Sequence, residues 1–188
     1  MKLMSNGGVF LASVALGAVL VAGAFGYSTW MRDRALPLHP LARDISITEQ
    51  LRPEAMRQLT ADGFATVIDM RPDGEAADEP RSSVMASAAQ ANHLHFAYVP
   101  VPHGDIPDSV VASLKTALVA NPGPVLLYCR SGRRAARSWS LVEASKAGGM
   151  STDEILAAVK STGQTADDLH DAIARRVQAR PGSTEAAR

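Results

Sequence analysis

Three short apolar segments determine the fold class that this 188-residue chain can adopt. They cover residues 64–68, 94–99 and 124–128, and the sequence between them predicts helices over 81–92 and 109–120. Buried parallel strands are short apolar runs of this kind, and a helical crossover is needed to join one to the next. The pattern predicts an α/β fold: a small parallel-stranded sheet flanked by helices, with binding sites at the carboxyl ends of its strands.

Local signals towards the carboxyl terminus indicate where the domain ends. Ser151 and Glu154 have the spacing of a capping box and open a helix, and a further helix is predicted over 165–178. We therefore expect one globular domain at 45–178, followed by a flexible tail at 179–188.

The amino-terminal region has the composition of a membrane segment. After a short stretch at 1–8, residues 9–30 are apolar, free of charge and long enough to cross a bilayer once as a helix. Residues 31–44, rich in proline and charge, are predicted to form a linker. The alternative is a secretory signal, because Ala22-Gly23-Ala24 has the small-x-small form that a signal peptidase accepts. The sequence thus predicts one transmembrane helix before the domain and a single-pass membrane protein.

Basic residues on the two sides of this segment give a weak indication of its orientation. Lys2 lies before it, whereas Arg32, Arg34 and Arg43 follow it. Positive charge favours the cytoplasmic side, so the balance slightly favours a cytoplasmic domain.

Charge and cysteine content exclude several classes of function. The chain has 19 Lys plus Arg and 19 Asp plus Glu, so no overall positive field recruits nucleic acid. Its single cysteine, Cys129, forms no internal disulfide. His93 and His95 share one face of a predicted strand but lack a third ligand of suitable spacing. We expect no metal site, no cofactor and no nucleic-acid partner.

The cysteine lies at the point where the third predicted strand ends. The loop that follows contains a glycine and leads into a helix, so its N–H groups and the positive helix end favour a bound anion. Together with nearby arginines, they stabilise a thiolate, which is a nucleophile. Arg134 is placed to clamp oxygens of a tetrahedral anion. The alternative is a buried structural thiol. The candidate anion-binding loop comprises Cys129, Arg130, Ser131, Gly132, Arg133 and Arg134.

The same residues carry a resemblance to known families. VLLYCRSGRR at 125–134 resembles the active-site loop of rhodanese-type sulfurtransferases and related phosphatases. A wider stretch, 51–163, with GFATVIDMRPDGE at 63–75 and YVPV at 98–101, resembles the phosphatase-like domain of beta-lactamase hydrolase-like proteins, the DUF442 family. This resemblance implies a tyrosine-phosphatase-like fold. Members are described both as phosphatase-like hydrolases and as sulfur transferases.

Three features of the loop bear on which chemistry it supports. Cys129 and Arg134 are separated by four residues, one fewer than in tyrosine phosphatases and equal to the rhodanese spacing. Tyr128 stands where tyrosine phosphatases usually have His. Ala135 stands where they usually have a hydroxyl residue that helps the thiolate leave. The shorter loop is expected to accept a smaller anion, and turnover of a phosphocysteine is expected to be slow.

Phosphoryl transfer also requires an acid that protonates the leaving oxygen. The resemblance favours Asp105, in the loop after the second predicted strand, with His103 as an alternative or as a group that orients substrate. Asp69, Arg71, Asp73 and Glu75 follow the first predicted strand and are candidates for the substrate pocket, with Arg71 as a contact for an anion. The alternative is that Asp73 belongs to a turn and Glu75 is a solvated residue.

These observations support three functional hypotheses. The first is a membrane-anchored, cysteine-dependent phosphatase-like hydrolase that uses Cys129, Arg134 and Asp105. The second is a rhodanese-type sulfurtransferase that forms a persulfide on Cys129. The third is a catalytically weak sensor that binds anions or phosphoproteins. The expected partners are a small anionic, phosphorylated or sulfane-sulfur substrate and the lipid membrane; by analogy with relatives, a persulfide-handling metallo-hydrolase is a further candidate.

Overall fold

The computed structural model describes residues 36–121 and 123–181. Every described strand and helix belongs to one compact unit, Pro37–Arg188. The predicted transmembrane anchor at 9–30 lies outside the described residues. Among the helices within the described ranges, none combines the length and apolar character needed to span a bilayer.

The described residues form five strands: β1 His39–Ala42, β2 Ile45–Thr48, β3 Thr66–Asp69, β4 His95–Tyr98 and β5 Val125–Tyr128. They make one mixed sheet in the order β1-β2-β5-β3-β4. Strand β1 is antiparallel to β2, and the other neighbours are parallel. The carboxyl ends of β2 to β5 therefore meet at one edge.

The sheet is mixed rather than purely parallel, because two strands extend it beyond the three predicted ones. Strand β1 lies within 31–44, the stretch predicted as a linker, and a two-residue turn connects it to β2. Pro40 is tolerated because β1 is an edge strand, where a missing backbone N–H costs no sheet hydrogen bond. Strand β2 is only four residues long, and Ile47 at its centre is completely buried. Its sequence, ISIT, alternates apolar and polar residues and lacks the continuous apolar run by which the other parallel strands were predicted.

The helices flank the sheet, and α4 begins at the cysteine-containing loop. Helices α2, α3 and α5 lie close to their predicted positions, and the Ser151–Glu154 capping box is present. The last helix starts later than predicted, because Thr165 and Asp167 bond to each other in a turn before it. The helices are α1 Ala55–Ala61, α2 Ser82–Ala91, α3 Asp108–Ala120, α4 Arg133–Ala144, α5 Thr152–Ser161 and α6 His170–Gln178, with a 3₁₀ turn at Asp167–Leu169.

The most buried elements are those that position the cysteine. All four residues of β3 and all four of β5 are buried. Helix α4 contributes Trp139 and Leu141 to the core and packs against α3, α5 and α6. Side chains held this closely on all sides have little freedom to move, so the strand-loop-helix junction has a rigid foundation.

Arg180, within the stretch predicted as a flexible tail, is attached to the domain. Its guanidinium donates to the carbonyls of Ala144 at 2.9 Å, Gly149 at 2.7 Å and Met150. It thereby satisfies the last carbonyl of α4 and fixes the turn that follows.

Candidate active site

Cys129 follows directly after β5 at the carboxyl edge of the sheet, and only 1% of it is exposed. The chain then turns through Gly132, which caps α4 with a φ of +78°. Glycine adopts this left-handed conformation without the steric cost that other residues incur. A Cβ at this position would lie 3.4 Å from the Thr48 carbonyl oxygen. The close approach and the backbone angle both favour glycine here.

Two hydrogen bonds from residues outside the loop fix its path. The Gln50 N–H donates to the Arg130 carbonyl at 3.3 Å, and Gln164 Nε2 donates to the Ser131 carbonyl at 2.9 Å. Both bonds come from distant parts of the chain, after β2 and before α6. Neither glutamine had a sequence signal that marked it as part of the site. The loop is therefore held by its surroundings as well as by its own sequence.

Arg134, in the first turn of α4, lies beside Cys129 but is bound by a carboxylate. Its Nη1 and Nη2 donate to Glu75 Oε1 and Oε2 at 2.5 and 2.7 Å, and Nη1 also donates to the Val101 carbonyl at 2.9 Å. These hydrogen bonds to Glu75, and secondarily the neighbouring Cys129, raise the pKa of Arg134. The residue predicted as the clamp is thus close to the thiol and held in a fixed orientation, but both of its terminal nitrogens already donate to Glu75.

Glu75 is the centre of a charged network. Besides Arg134, it accepts from Arg71 Nε at 3.0 Å and lies 3.1 Å from His103 Nε2. The hydrogen bonds from Arg134, with a further contribution from Arg71, lower the pKa of Glu75 to about 2. The sequence placed Glu75 after β3 as a candidate for the pocket rim but did not predict its pairing with Arg134, which is 59 positions away.

Arg71 is buried and has protein acceptors for each of its guanidinium nitrogens. Nε bonds Glu75, Nη1 donates to Gln50 Oε1 at 2.7 Å, and Nη2 lies 3.1 Å from Glu79 Oε2. Its predicted role was contact with a substrate anion. In the structure it connects the segments that follow β2 and β3, so its charge is already neutralised within the protein.

The two aspartates predicted for the pocket have other contacts. Asp73 accepts from the N–H and Oγ of Ser82 at 2.6 and 2.8 Å, so its carboxylate caps the start of α2. Asp69 is 3% exposed and accepts from the Arg71 N–H at 2.9 Å. Burial, more than any other factor, raises the pKa of Asp69 to about 6. Tyr128 lies beside it at the same register of the sheet.

A cavity of about 460 Å³ opens beside the loop and contains most of the remaining predicted residues. Asp105, His103 and Arg134 all line it, so the structure brings the predicted acid to the same cavity as the clamp. Arg137, also in its wall, forms a two-pronged ion pair with Asp168. The lining comprises His103, Gly104, Asp105, Arg130, Ser131, Arg133, Arg134, Arg137 and Asp168. Within the described ranges, no cluster of His, Cys, Asp and Glu is suited to a metal ion.

A buried thiol at a strand-loop-helix junction, with an arginine beside it and helices on a mixed sheet, defines a phosphatase-like α/β domain. The chain belongs to the family described as the phosphatase-like domain of beta-lactamase hydrolase-like proteins, whose profile matches residues 37–148. The resemblance noted in the sequence is confirmed.

Individual proteins agree with this assignment. A beta-lactamase hydrolase-like protein of Xylella fastidiosa is 29% identical over 111 residues, which cover 59% of this chain and 26% of the relative. The chain thus spans about a quarter of the length of that relative. A candidate phosphatase from Neisseria meningitidis superposes with a TM-score of 0.66 at 24% identity, covering 76% of this chain and 99% of the other. The catalytic core of the PP-IP phosphatase Siw14 from S. cerevisiae gives 0.52 at 13% identity, covering 80% and 90%. These structures share the fold.

Proposed function

We propose that this protein is a cysteine-dependent hydrolase of phosphate monoesters. The observation that carries the proposal is the position of Cys129: it heads the loop before α4, with Arg134 held beside it. Thiolate nucleophiles are effective where a helix amino terminus and a cation stabilise the negative charge. The phosphatase-like family and fold support the same class of reaction.

In the proposed first step, the Cys129 Sγ thiolate attacks the phosphorus atom. A sulfur–phosphorus bond forms and the bond to the leaving oxygen breaks, while the carboxyl of Asp105 gives its proton to that oxygen. Water then attacks the phosphocysteine, the sulfur–phosphorus bond breaks, and Asp105 takes a proton from the water. Phosphate leaves and the thiolate is restored.

Arg134 supports this reaction through its positive charge and through the fixed orientation of its guanidinium group. With both terminal nitrogens held by Glu75, its guanidinium cannot swing away from the thiol. Preorganised cations that need not move during the reaction stabilise transition-state charge effectively. Because His103 is bound to Glu75, we assign it to the support of this network and Asp105 to proton transfer.

The second candidate is sulfur transfer by a persulfide. It is favoured by the near-complete burial of Cys129 and by Ala135, which is fully buried and has no hydroxyl to assist a leaving thiolate. In this reaction the Cys129 thiolate attacks the sulfane sulfur of thiosulfate, sulfite leaves, and cyanide then takes that sulfur from the persulfide as thiocyanate. No general acid is needed.

One pair of assays separates the two reactions. The full chain in detergent is incubated with p-nitrophenyl phosphate and, separately, with thiosulfate and cyanide, and Cys129→Ser serves as control. We expect nitrophenol release that Cys129→Ser abolishes. Because the chain has one cysteine, a trapped phosphoryl or sulfur adduct is assigned to it by mass. Formation of thiocyanate without release of nitrophenol would contradict the hydrolase and support the sulfurtransferase. Binding of phosphate without formation of either product would support the third hypothesis, an anion sensor.

We further propose that residues 9–30 anchor the protein in a membrane, based on their uncharged apolar sequence. Alkaline extraction of membranes from expressing cells tests this. The full chain is expected to stay in the membrane pellet, whereas a variant lacking 1–30 is expected in the supernatant. Recovery of both in the supernatant would contradict the anchor.

A further inference from the structure

A second cavity, of about 330 Å³, adjoins the loop on the side of β2 and β3. Arg130 lines both this cavity and the one that contains Arg134 and Asp105, so the two cavities share a residue of their walls. The charged and amide groups of the second cavity are Gln50, Arg52, Arg71, Asp78, Glu79 and Arg130.

The charges of this second cavity do not cancel. Arg71 and Glu79 are both nearly buried and pair with each other at 3.1 Å, so together they contribute no net charge. Asp78 is exposed at the rim. Arg52 and Arg130 remain, and neither has an ion pair within the described part of the chain. The cavity therefore carries an excess of one positive charge beside the catalytic loop.

The walls of the cavity are fixed before any ligand arrives. The Gln50 N–H holds the Arg130 carbonyl, and the Gln50 amide oxygen accepts from Arg71. Glu79 also accepts from the Ala76 N–H at 3.2 Å, which closes the turn after β3. A site whose walls are already ordered loses less entropy when a ligand binds.

We propose that this second cavity binds a second anionic group of the substrate. The substrate class is then a phosphate monoester that carries another phosphate or a carboxylate. The reacting group lies at the Cys129 loop, and the second group lies between Arg52 and Arg130. Arg130, at the junction of the cavities, contacts the part that connects them. This inference rests on the proposed function, because it specifies which monoesters the hydrolase selects.

The test measures binding rather than catalysis, so that it does not depend on turnover. Full-length Cys129→Ser is titrated by calorimetry with alkane-1,ω-diyl bisphosphonates of increasing chain length and with the matched alkyl monophosphonates. At the best chain length the bisphosphonate is expected to bind about tenfold more tightly, since one charge-assisted contact is worth roughly that factor. Adding Arg52→Ala removes the advantage. Adding Arg57→Ala, an exposed arginine on α1 that lines neither cavity, retains it.

Asp78→Asn provides an opposite test in the same assay. Without this carboxylate, no unpaired negative charge in the cavity offsets Arg52 and Arg130. The bisphosphonate is therefore expected to bind several-fold more tightly, while the affinity for the monophosphonate is unchanged. Equal affinity for the two ligand types at every chain length, or equal losses from Arg52→Ala and Arg57→Ala, would overturn the second site. Failure of the proposed function is separate: it is the absence of phosphatase activity in the wild-type protein, whatever these affinities are.

Discussion

Glu75 holds Arg134 by both terminal guanidinium nitrogens, at 2.5 and 2.7 Å, across 59 positions of sequence. The same carboxylate also binds Arg71 and His103. One half-buried acid therefore links the turn after β3 to the first turn of α4 and to the loop after β4. Its negative charge neutralises cations that would otherwise repel one another and fixes the arginine nearest the thiol.

Glu75→Gln is expected to lower kcat/KM for p-nitrophenyl phosphate about ten- to hundredfold. An amide has one acceptor oxygen where the carboxylate has two, so it cannot reproduce the two-pronged pair with Arg134, and small displacements of a catalytic group are costly. Glu54→Gln, an exposed residue before α1, is the matched control and should retain activity. Steady-state kinetics above pH 5 should show the same pH profile for both variants, since the Glu75 pKa near 2 lies far below that range. Unchanged kcat/KM in Glu75→Gln would contradict the positioning role.

The depressed pKa of Glu75 also predicts how stability depends on pH. Because the folded pKa, about 2, lies below the ordinary 4.5, the ionised carboxylate stabilises the fold above pH 4.5, and this contribution is lost as pH falls towards 2. Urea unfolding should show Glu75→Gln less stable by about 1–3 kcal/mol at pH 7, with a smaller difference at pH 3. A pH-independent difference would contradict the assignment.

Gly132→Ala is expected to lower activity as well as the stability of the fold, because it changes the loop. Its φ of +78° costs an L-residue about 1–2 kcal/mol, and the new Cβ meets the Thr48 carbonyl and Gln164. Gly148→Ala is the control: its φ is +67°, but a Cβ there meets nothing within 4 Å. Urea unfolding should show a loss in both variants, whereas activity should fall only in Gly132→Ala. Full activity in Gly132→Ala would show that the loop tolerates a shifted backbone.

The sequence predicted the part of the site that depends on local signals. Strand β5, its buried end and the glycine turn at 132 are contiguous, so the position of Cys129 followed from neighbouring residues. The support for Arg134 could not be predicted this way. Glu75 reaches it only after β3, β4 and β5 have formed one sheet, and Gln164 likewise reaches Ser131 across 33 positions.

Asp73 and Arg71 show what residue type and strand position leave open. Charged residues after a strand were expected to face substrate, because carboxyl ends of parallel strands form binding sites. Asp73 caps α2, and Arg71 bonds to three acceptors inside the protein while it also lines the second cavity. Residue type and strand position do not distinguish a group that binds a ligand from one that holds the turn beneath it.

Asp69→Asn is expected to stabilise the protein at high pH. Burial raises the Asp69 pKa to about 6 from 3.8, so the folded state favours the protonated acid, and its stability falls as pH rises through 6. An amide removes this cost and can still accept from the Arg71 N–H. Urea unfolding should give a gain of about 1–3 kcal/mol at pH 8 and little change near pH 3.5. Destabilisation at pH 8 would mean that the charge is needed in the fold.

Asp105→Asn tests the proposed acid through the leaving group. Proton donation matters most when the departing oxygen is strongly basic, so kcat for phenyl phosphate should fall about 10²- to 10³-fold, whereas kcat for p-nitrophenyl phosphate should fall much less. Asp62→Asn, at the exposed carboxyl end of α1, controls for the loss of a surface carboxylate. Equal losses on both esters would assign Asp105 to binding and leave proton transfer to another group.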